Sequence, residues 1–202
     1  MAVLEAQRQG RTAVSQGIEE PKPYSSAEFA RLAAQYPELR MERTREGEII
    51  IMPPAGSESG GRNADLTADV VIWNRKTKLG KVFDSSSGFT LPSGAERSPD
   101  TGWIEISRWE ALTPEKRKGF AHICPDFVVE LRSDTDRLSA VQKKMHEYRE
   151  NGARLGWLID PISRRVEIYR SGQEVEILDN PASLSGEDVL PGFVLDLTGI
   201  LF

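Results

Sequence analysis

The chain has 202 residues, 28% of them charged and 39% hydrophobic, with a formal net charge of −5. That is enough chain to bury one substantial core. No apolar run approaches the ~20 residues a membrane-spanning helix needs, and the mild negative charge argues against a strong nonspecific polyanion binder. One cysteine, Cys124, excludes an internal disulfide framework, and with only two histidines it also excludes a closed structural zinc site. A metal here would be held by carboxylates, which favours magnesium, manganese or calcium. The opening residues Met1 to Arg8 lack the apolar core of a signal peptide. With the reduced cysteine, this gives a cytoplasmic expectation.

In chain order, residues 1–23 read as a polar, aperiodic tail, and residues 24–202 as one domain. Ser25 or Ser26 can cap a first helix carrying Phe29 and Leu32. Arg40 to Met52 reads as a hairpin, with Arg45-Glu46-Gly47-Glu48 as its turn, stopped by Pro53-Pro54. A long helix is predicted from Ser57 to Asn74, its buried stripe made by Leu66, Val70 and Trp73. Glu58 falls in its first turn, where the helix dipole favours a carboxylate in any case. Arg75, Lys76, Lys78 and Lys81 follow as the densest basic run, a candidate phosphate contact as well as a dipole-matched helix end.

Short strands are expected at Lys81–Asp84, Gly88–Leu91 and Trp103–Ile106, with Asp100 in the proline-led turn that enters the last of them. Thr113-Pro114-Glu115 reads as a helix start. The strand that follows, residues 126–132, carries the most information. Alternation puts Phe127, Val129 and Leu131 on one face and Asp126, Val128, Glu130 and Arg132 on the other. A strand apolar enough to be central thus bears a carboxylate and a guanidinium, which are rarely buried unless paired, bound to metal or engaged in chemistry. A plain Glu130–Arg132 pair at a strand end is the structural alternative.

From Leu138 to Asn151 an amphipathic helix is predicted, striped by Leu138, Val141, Met145 and Tyr148. At 100° per residue Lys143 falls on the solvent side. Lys144 flanks the stripe, where its stem can run along apolar surface and deliver an ammonium toward the sheet. Leu155–Asp160 is an unbroken apolar strand suited to a sheet covered on both faces. Val166–Arg170 and Glu174–Leu178 follow as partner strands, and the tail is expected to pack Leu195, Leu197 and Ile200. These elements make an α/β domain with a mixed sheet flanked by helices.

Ser98-Pro99-Asp100, then Pro125-Asp126-Phe127-Val128-Val129-Glu130-Leu131-Arg132-Ser133, then Lys144-Met145 with Tyr148, then Gly156-Trp157-Leu158-Ile159-Asp160-Pro161 resemble the Uma2 family, which is placed among restriction-endonuclease-like proteins of the PD-(D/E)xK nuclease superfamily. The likeness runs over about residues 24–202 and includes the closing Leu190-Pro191-Gly192-Phe193 and Leu201-Phe202. It implies a four- or five-stranded mixed central sheet between helices and an acidic metal site on adjacent strands. Under it, Asp100 is the first aspartate, Glu130 the second acid and Arg132 the residue standing where a catalytic lysine is common. Glu58 matches the acid that some members carry on the first core helix.

The expected activity is a metal-dependent DNA endonuclease using magnesium or manganese held by Asp100 and Glu130. Such a cation generates the hydroxide nucleophile and clamps the transferring phosphoryl group. Arg132 stays protonated, so it can bind phosphate but cannot serve as a general base. Lys144 would then supply the ammonium beside the attacking water. Homodimerisation would suit an enzyme cutting both strands of a duplex. A different reading keeps the fold as a non-catalytic binding or assembly module with a remnant of its acids.

Overall fold

The structure is a computed structural model and describes residues 22–202. Nearly all of the tail expected over 1–23 lies outside the described residues. The first helix, α1 (Ser26–Gln35), is capped by Ser25 in a reciprocal capping box with Glu28, and it buries Phe29. The hairpin β1 (Arg40–Arg43) and β2 (Ile49–Met52) turns at Gly47, whose φ is +91°. A Cβ there would stand 2.6 Å from Pro23 Cβ and 2.8 Å from the Tyr24 carbonyl, so both backbone angle and space require glycine.

Helix α2 (Ser57–Thr77) runs three residues past its expected end, to a left-handed cap at Lys78. The cause is Asn74. Its amide bridges Gly80, donating to the carbonyl at 2.9 Å and accepting from the N–H at 3.1 Å, and it also accepts from Trp103 Nε1. The helix is thereby stitched to the strand that follows. That strand, β3 (Gly80–Asp84), pairs antiparallel with β6 (Thr101–Glu105). Between them, β4 (Phe89–Thr90) and β5 (Glu96–Arg97) leave the main sheet and extend the hairpin into a separate four-stranded sheet, ordered β2-β1-β5-β4.

The strand expected to include Ile106 ends at Glu105, where a short helix, α3 (Ile106–Glu110), begins. The helix expected from Pro114 is only a single 3₁₀ turn, Glu115–Arg117. Next come β7 (Phe127–Leu131), α4 (Leu138–Glu150) and β8 (Leu155–Asp160), with β7 and β8 parallel and α4 as their crossover. Strands β9 (Arg165–Arg170) and β10 (Glu176–Asp179) complete a six-stranded sheet, ordered β10-β9-β8-β7-β6-β3. This is one strand more than the resemblance implies, because β10 and β3 both reach the edges. A small ribbon of β11 (Ser183–Ser185) and β12 (Val194–Asp196) closes the chain.

Alternation sorts the core into two layers. Phe127, Val129 and Leu131 join Trp157 and Ile159 beneath Leu66, Val70 and Trp73 of α2, and the tail residues Leu195, Leu197 and Ile200 pack there too. Val128 and Leu158 face the other way, toward Met145 and Tyr148 of α4 and toward Phe89 and Leu91 of the small sheet. Each large apolar side chain buried in this way contributes about 1.5–3 kcal/mol. Glu130 shares the second face. Gly156 on β8 lets α4 settle low over it, since a Cβ at that position would meet Met145 Cε at 2.6 Å and Val128 Cγ2 at 3.2 Å.

Candidate active site

Strands β6 and β7 pair with Thr101 opposite Val129, so Asp100 and Glu130 lie one step beyond that pair on neighbouring strands. Both come to the same end of the sheet. The Leu131 N–H donates to Asp100 Oδ2 at 2.8 Å, which fixes the aspartate beside the strand that carries Glu130. Glu130 is 7% exposed. Tyr148 donates its hydroxyl proton to Glu130 Oε1 at 3.2 Å, and Lys144 Nζ stands 2.8 Å from the same oxygen. The second oxygen of each carboxylate accepts no hydrogen bond among the described residues.

Lys144 arrives from α4, its stem along the apolar stripe and its side chain 14% exposed. Its ammonium also stands 2.8 Å from Glu42 Oε1 and donates to the Ser98 carbonyl at 3.1 Å. Lys143, one residue earlier, points to the opposite flank of α4 and is exposed, lining a groove with His146 and Glu167. Glu42 comes from β1 and is 2% exposed. The Ser98 N–H donates to Glu42 Oε1 at 2.8 Å, and Arg97 donates to Oε2 at 3.1 Å. Arg97 is in turn held by Glu147 of α4 at 2.5 Å.

Charge is crowded here. Burial pushes the Glu130 carboxyl up to about 8, with the negative charges of Asp100 and Glu42 adding to the rise and Lys144 opposing it. Burial likewise raises Asp100, against the Leu131 N–H and the charge of Lys144. Burial works against the Lys144 charge too, but Glu130 and Glu42 outweigh it and hold the ammonium above the ordinary amine range. Glu42 goes the other way. Burial opposes its ionisation, but Lys144 and Arg97 keep it below the usual carboxylate range. The cation shortage thus falls on Asp100 and Glu130.

A family model for Uma2, described as a putative restriction endonuclease, matches residues 26–198. The chain belongs to the Uma2 family. No curated protein matches it. Among solved structures it is similar to a putative nuclease of the DUF820 family from Anabaena variabilis, with a TM-score of 0.74 and 22% identity over 89% of this chain and 98% of that one. At that identity the likeness concerns the fold.

Two of the residues picked out by sequence do not join the cluster in this Uma2 chain. Glu58 is 80% exposed and pairs with Arg62 at 2.8 Å, one turn along the same helix, so it behaves as a first-turn surface charge. Arg132 lies past the end of β7, where its guanidinium meets Asp160 Oδ2 at 2.8 Å and the Asp136 carbonyl at 3.3 Å. The simple Glu130–Arg132 pair does not form among the described residues. The buried carboxylate of Asp160, on the next strand, is the nearer partner. Asp126, on the same alternation face as Glu130, sits at the far end of β7 beside Arg108, at 2.7 Å. Arg75, Lys76, Lys78 and Lys81 are all exposed and in no ion pair among the described residues.

Glu42 and Arg97 are the residues the sequence did not reveal. Their signal was faint: a Glu on a hairpin strand and an Arg two positions before Pro99, each ordinary alone. Among the described residues no group of three or more His, Cys, Asp or Glu side chains stands ready to hold a metal ion. Two carboxylates with one free oxygen each fit a cation that keeps most of its water, which is the habit of magnesium.

Proposed function

We propose that this Uma2 protein is a metal-dependent endonuclease that hydrolyses phosphodiester bonds in DNA, with Asp100 and Glu130 as the metal ligands and Lys144 as the helix-borne cation of the site. The observation that carries the reading is the convergence of Asp100, Glu130 and Lys144 at one end of the sheet, from the entry to β6, from β7 and from α4, with an undonated oxygen left on each acid. Bound magnesium or manganese would supply a hydroxide nucleophile at neutral pH and charge stabilisation for the phosphoryl group. Asp100 and Glu130 hold and orient; Lys144 places a permanent positive charge beside the reacting phosphate, where charge accumulates in the transition state. Tyr148 fixes the Glu130 rotamer through its hydroxyl. Arg132 braces the end of β8 through Asp160, outside the reacting group.

The basic end of α2 is proposed as a phosphate-tracking surface. It lies at the Gly80 end of β3, whereas Asp84, at the other end of that strand, pairs with Thr101 beside the acids. A strand of DNA reaching both would run along β3. Pairing of two copies to cut both strands of a duplex is part of the same proposal. The test is cleavage of duplex and single-stranded DNA of mixed sequence, with magnesium, with manganese and with chelator. Products only in the metal arms, absent for Asp100→Ala, are expected. Equal products with chelator would overturn the metal dependence, and none from any substrate would leave the non-catalytic module as the better account.

A further inference from the structure

An ammonium has three N–H donors, and Lys144 has three acceptors within reach: Glu130 Oε1, Glu42 Oε1 and the Ser98 carbonyl. These three are not alike. Glu130 belongs to the pair of acids proposed to bind the cation. Glu42 and Ser98 belong to the hairpin sheet and to the turn after β5, and they are tied to each other by the Ser98 N–H at 2.8 Å. Glu42 is further fixed by Arg97, and Arg97 by Glu147 on α4, one turn beyond Lys144. A closed ring therefore runs Lys144–Glu42–Arg97–Glu147 and returns to the helix it left.

From this geometry we infer that Glu42 is a positioning residue: with the Ser98 carbonyl it holds the Lys144 ammonium in place when Glu130 takes a divalent cation on its second oxygen, so that the ammonium stays beside the site. The inference rests on the proposed metal site. Two cations drawn to one buried carboxylate repel each other strongly at low dielectric, so without a second anion the lysine would be driven out as the metal entered. Charge counting agrees. Lys144 with Glu42, and Arg97 with Glu147, each sum to zero, and Asp100 with Glu130, once a bound cation has displaced their protons, sum to −2, the complement of one divalent ion. The N-terminal hairpin, which holds no ligand of its own in this scheme, thereby completes the site.

The test reads Lys144 itself. Competitive acetylation with acetic anhydride, followed by peptide mass spectrometry, gives the relative reactivity of Lys144 and Lys143 in the wild type, in Glu42→Gln and in Glu42→Asp, each with and without manganese. In the metal-free proteins Glu42→Gln should raise Lys144 labelling roughly tenfold, the effect of losing one charge-assisted hydrogen bond that holds the ammonium in place, with Lys143 unchanged. Manganese should leave wild-type Lys144 protected and expose it further in the variant. Should Glu42→Gln fail to fold, judged by circular dichroism, Glu42→Asp keeps the charge and withdraws it by one methylene, and the same rise is expected. Unchanged Lys144 labelling in a folded variant overturns the inference. If manganese alters nothing in any protein, the cation site is what fails, and the metal-free comparison still decides the role of Glu42.

Discussion

Two adjacent lysines on one helix give the sharpest contrast at the scale of single residues. Lys144 meets Glu130 and Glu42, while Lys143 faces solvent on the other flank. Lys144→Ala is expected to lower metal-dependent cleavage by roughly 10²–10³, the usual cost of removing one group that stabilises transition-state charge. Lys143→Ala should leave the rate nearly unchanged and alter stability by under ~0.5 kcal/mol. Rates measured on one DNA substrate check both. Arg132 calls for a different measurement. Burial raises Asp160, but hydrogen bonds from Ser163 and Arg132 outweigh it and hold that carboxyl below its ordinary range. A depressed carboxylate stabilises the fold above its unfolded pKa and loses that contribution as pH falls through the folded value. Arg132→Ala should therefore cost about 1–3 kcal/mol near pH 7, with the gap from wild type narrowing below about pH 4. Urea unfolding at both pH values tests this; a gap independent of pH would contradict it. Helical phase alone predicted which lysine faces the sheet, because Val141, Met145 and Tyr148 fix that phase. The partners of Glu58 and Arg132 were not legible, because Arg62 and Asp160 meet these side chains at close range and sequence spacing carries no information about such pairing.

Among the elements, α4 matters most, since its height above the sheet sets where the Lys144 ammonium ends. Gly156 sets that height. Gly156→Ala would drive a methyl into the Met145 terminus, which is flexible enough to yield, so a cost of about 1–3 kcal/mol is expected. Its cleavage rate should fall more than its stability would explain, because α4 carries Lys144 and Tyr148 together. At the end of α2, neutralising Arg75, Lys76, Lys78 and Lys81 should flatten the salt dependence of DNA binding by roughly 0.9 in log–log slope for each phosphate that is no longer neutralised. An unchanged slope would return the run to an ordinary solvated helix end. The long periodic elements, α2, α4, β7 and β8, were legible because their apolar stripes extend over several turns or whole strands. β5, β11 and β12 were not: two or three residues hold too little alternation to register, and β5 also pairs with the distant β1. Pro114 marked a helix start correctly in kind, but with no apolar stripe behind it only one 3₁₀ turn forms.

Over the whole molecule, the fold assembles one polar site from four separate elements. Asp100 leads into β6, β7 carries Glu130, α4 brings Lys144, and the hairpin supplies Glu42 from a sheet of its own. Burial raises both Asp100 and Glu130 once these elements meet, with the negative charges of Asp100 and Glu42 adding to the rise at Glu130. Two acids short of cations thus come together only in the folded chain. A net charge of −5 spread over the whole molecule says nothing of this; its local surplus does. That surplus is proposed as the binding site for one divalent cation. Calorimetric titration of manganese into the metal-free wild type, Asp100→Ala and Glu130→Ala tests it most directly. One saturable site in the wild type, lost or greatly weakened in both variants while they remain folded, is the expected result. The same binding heat in all three proteins would contradict it.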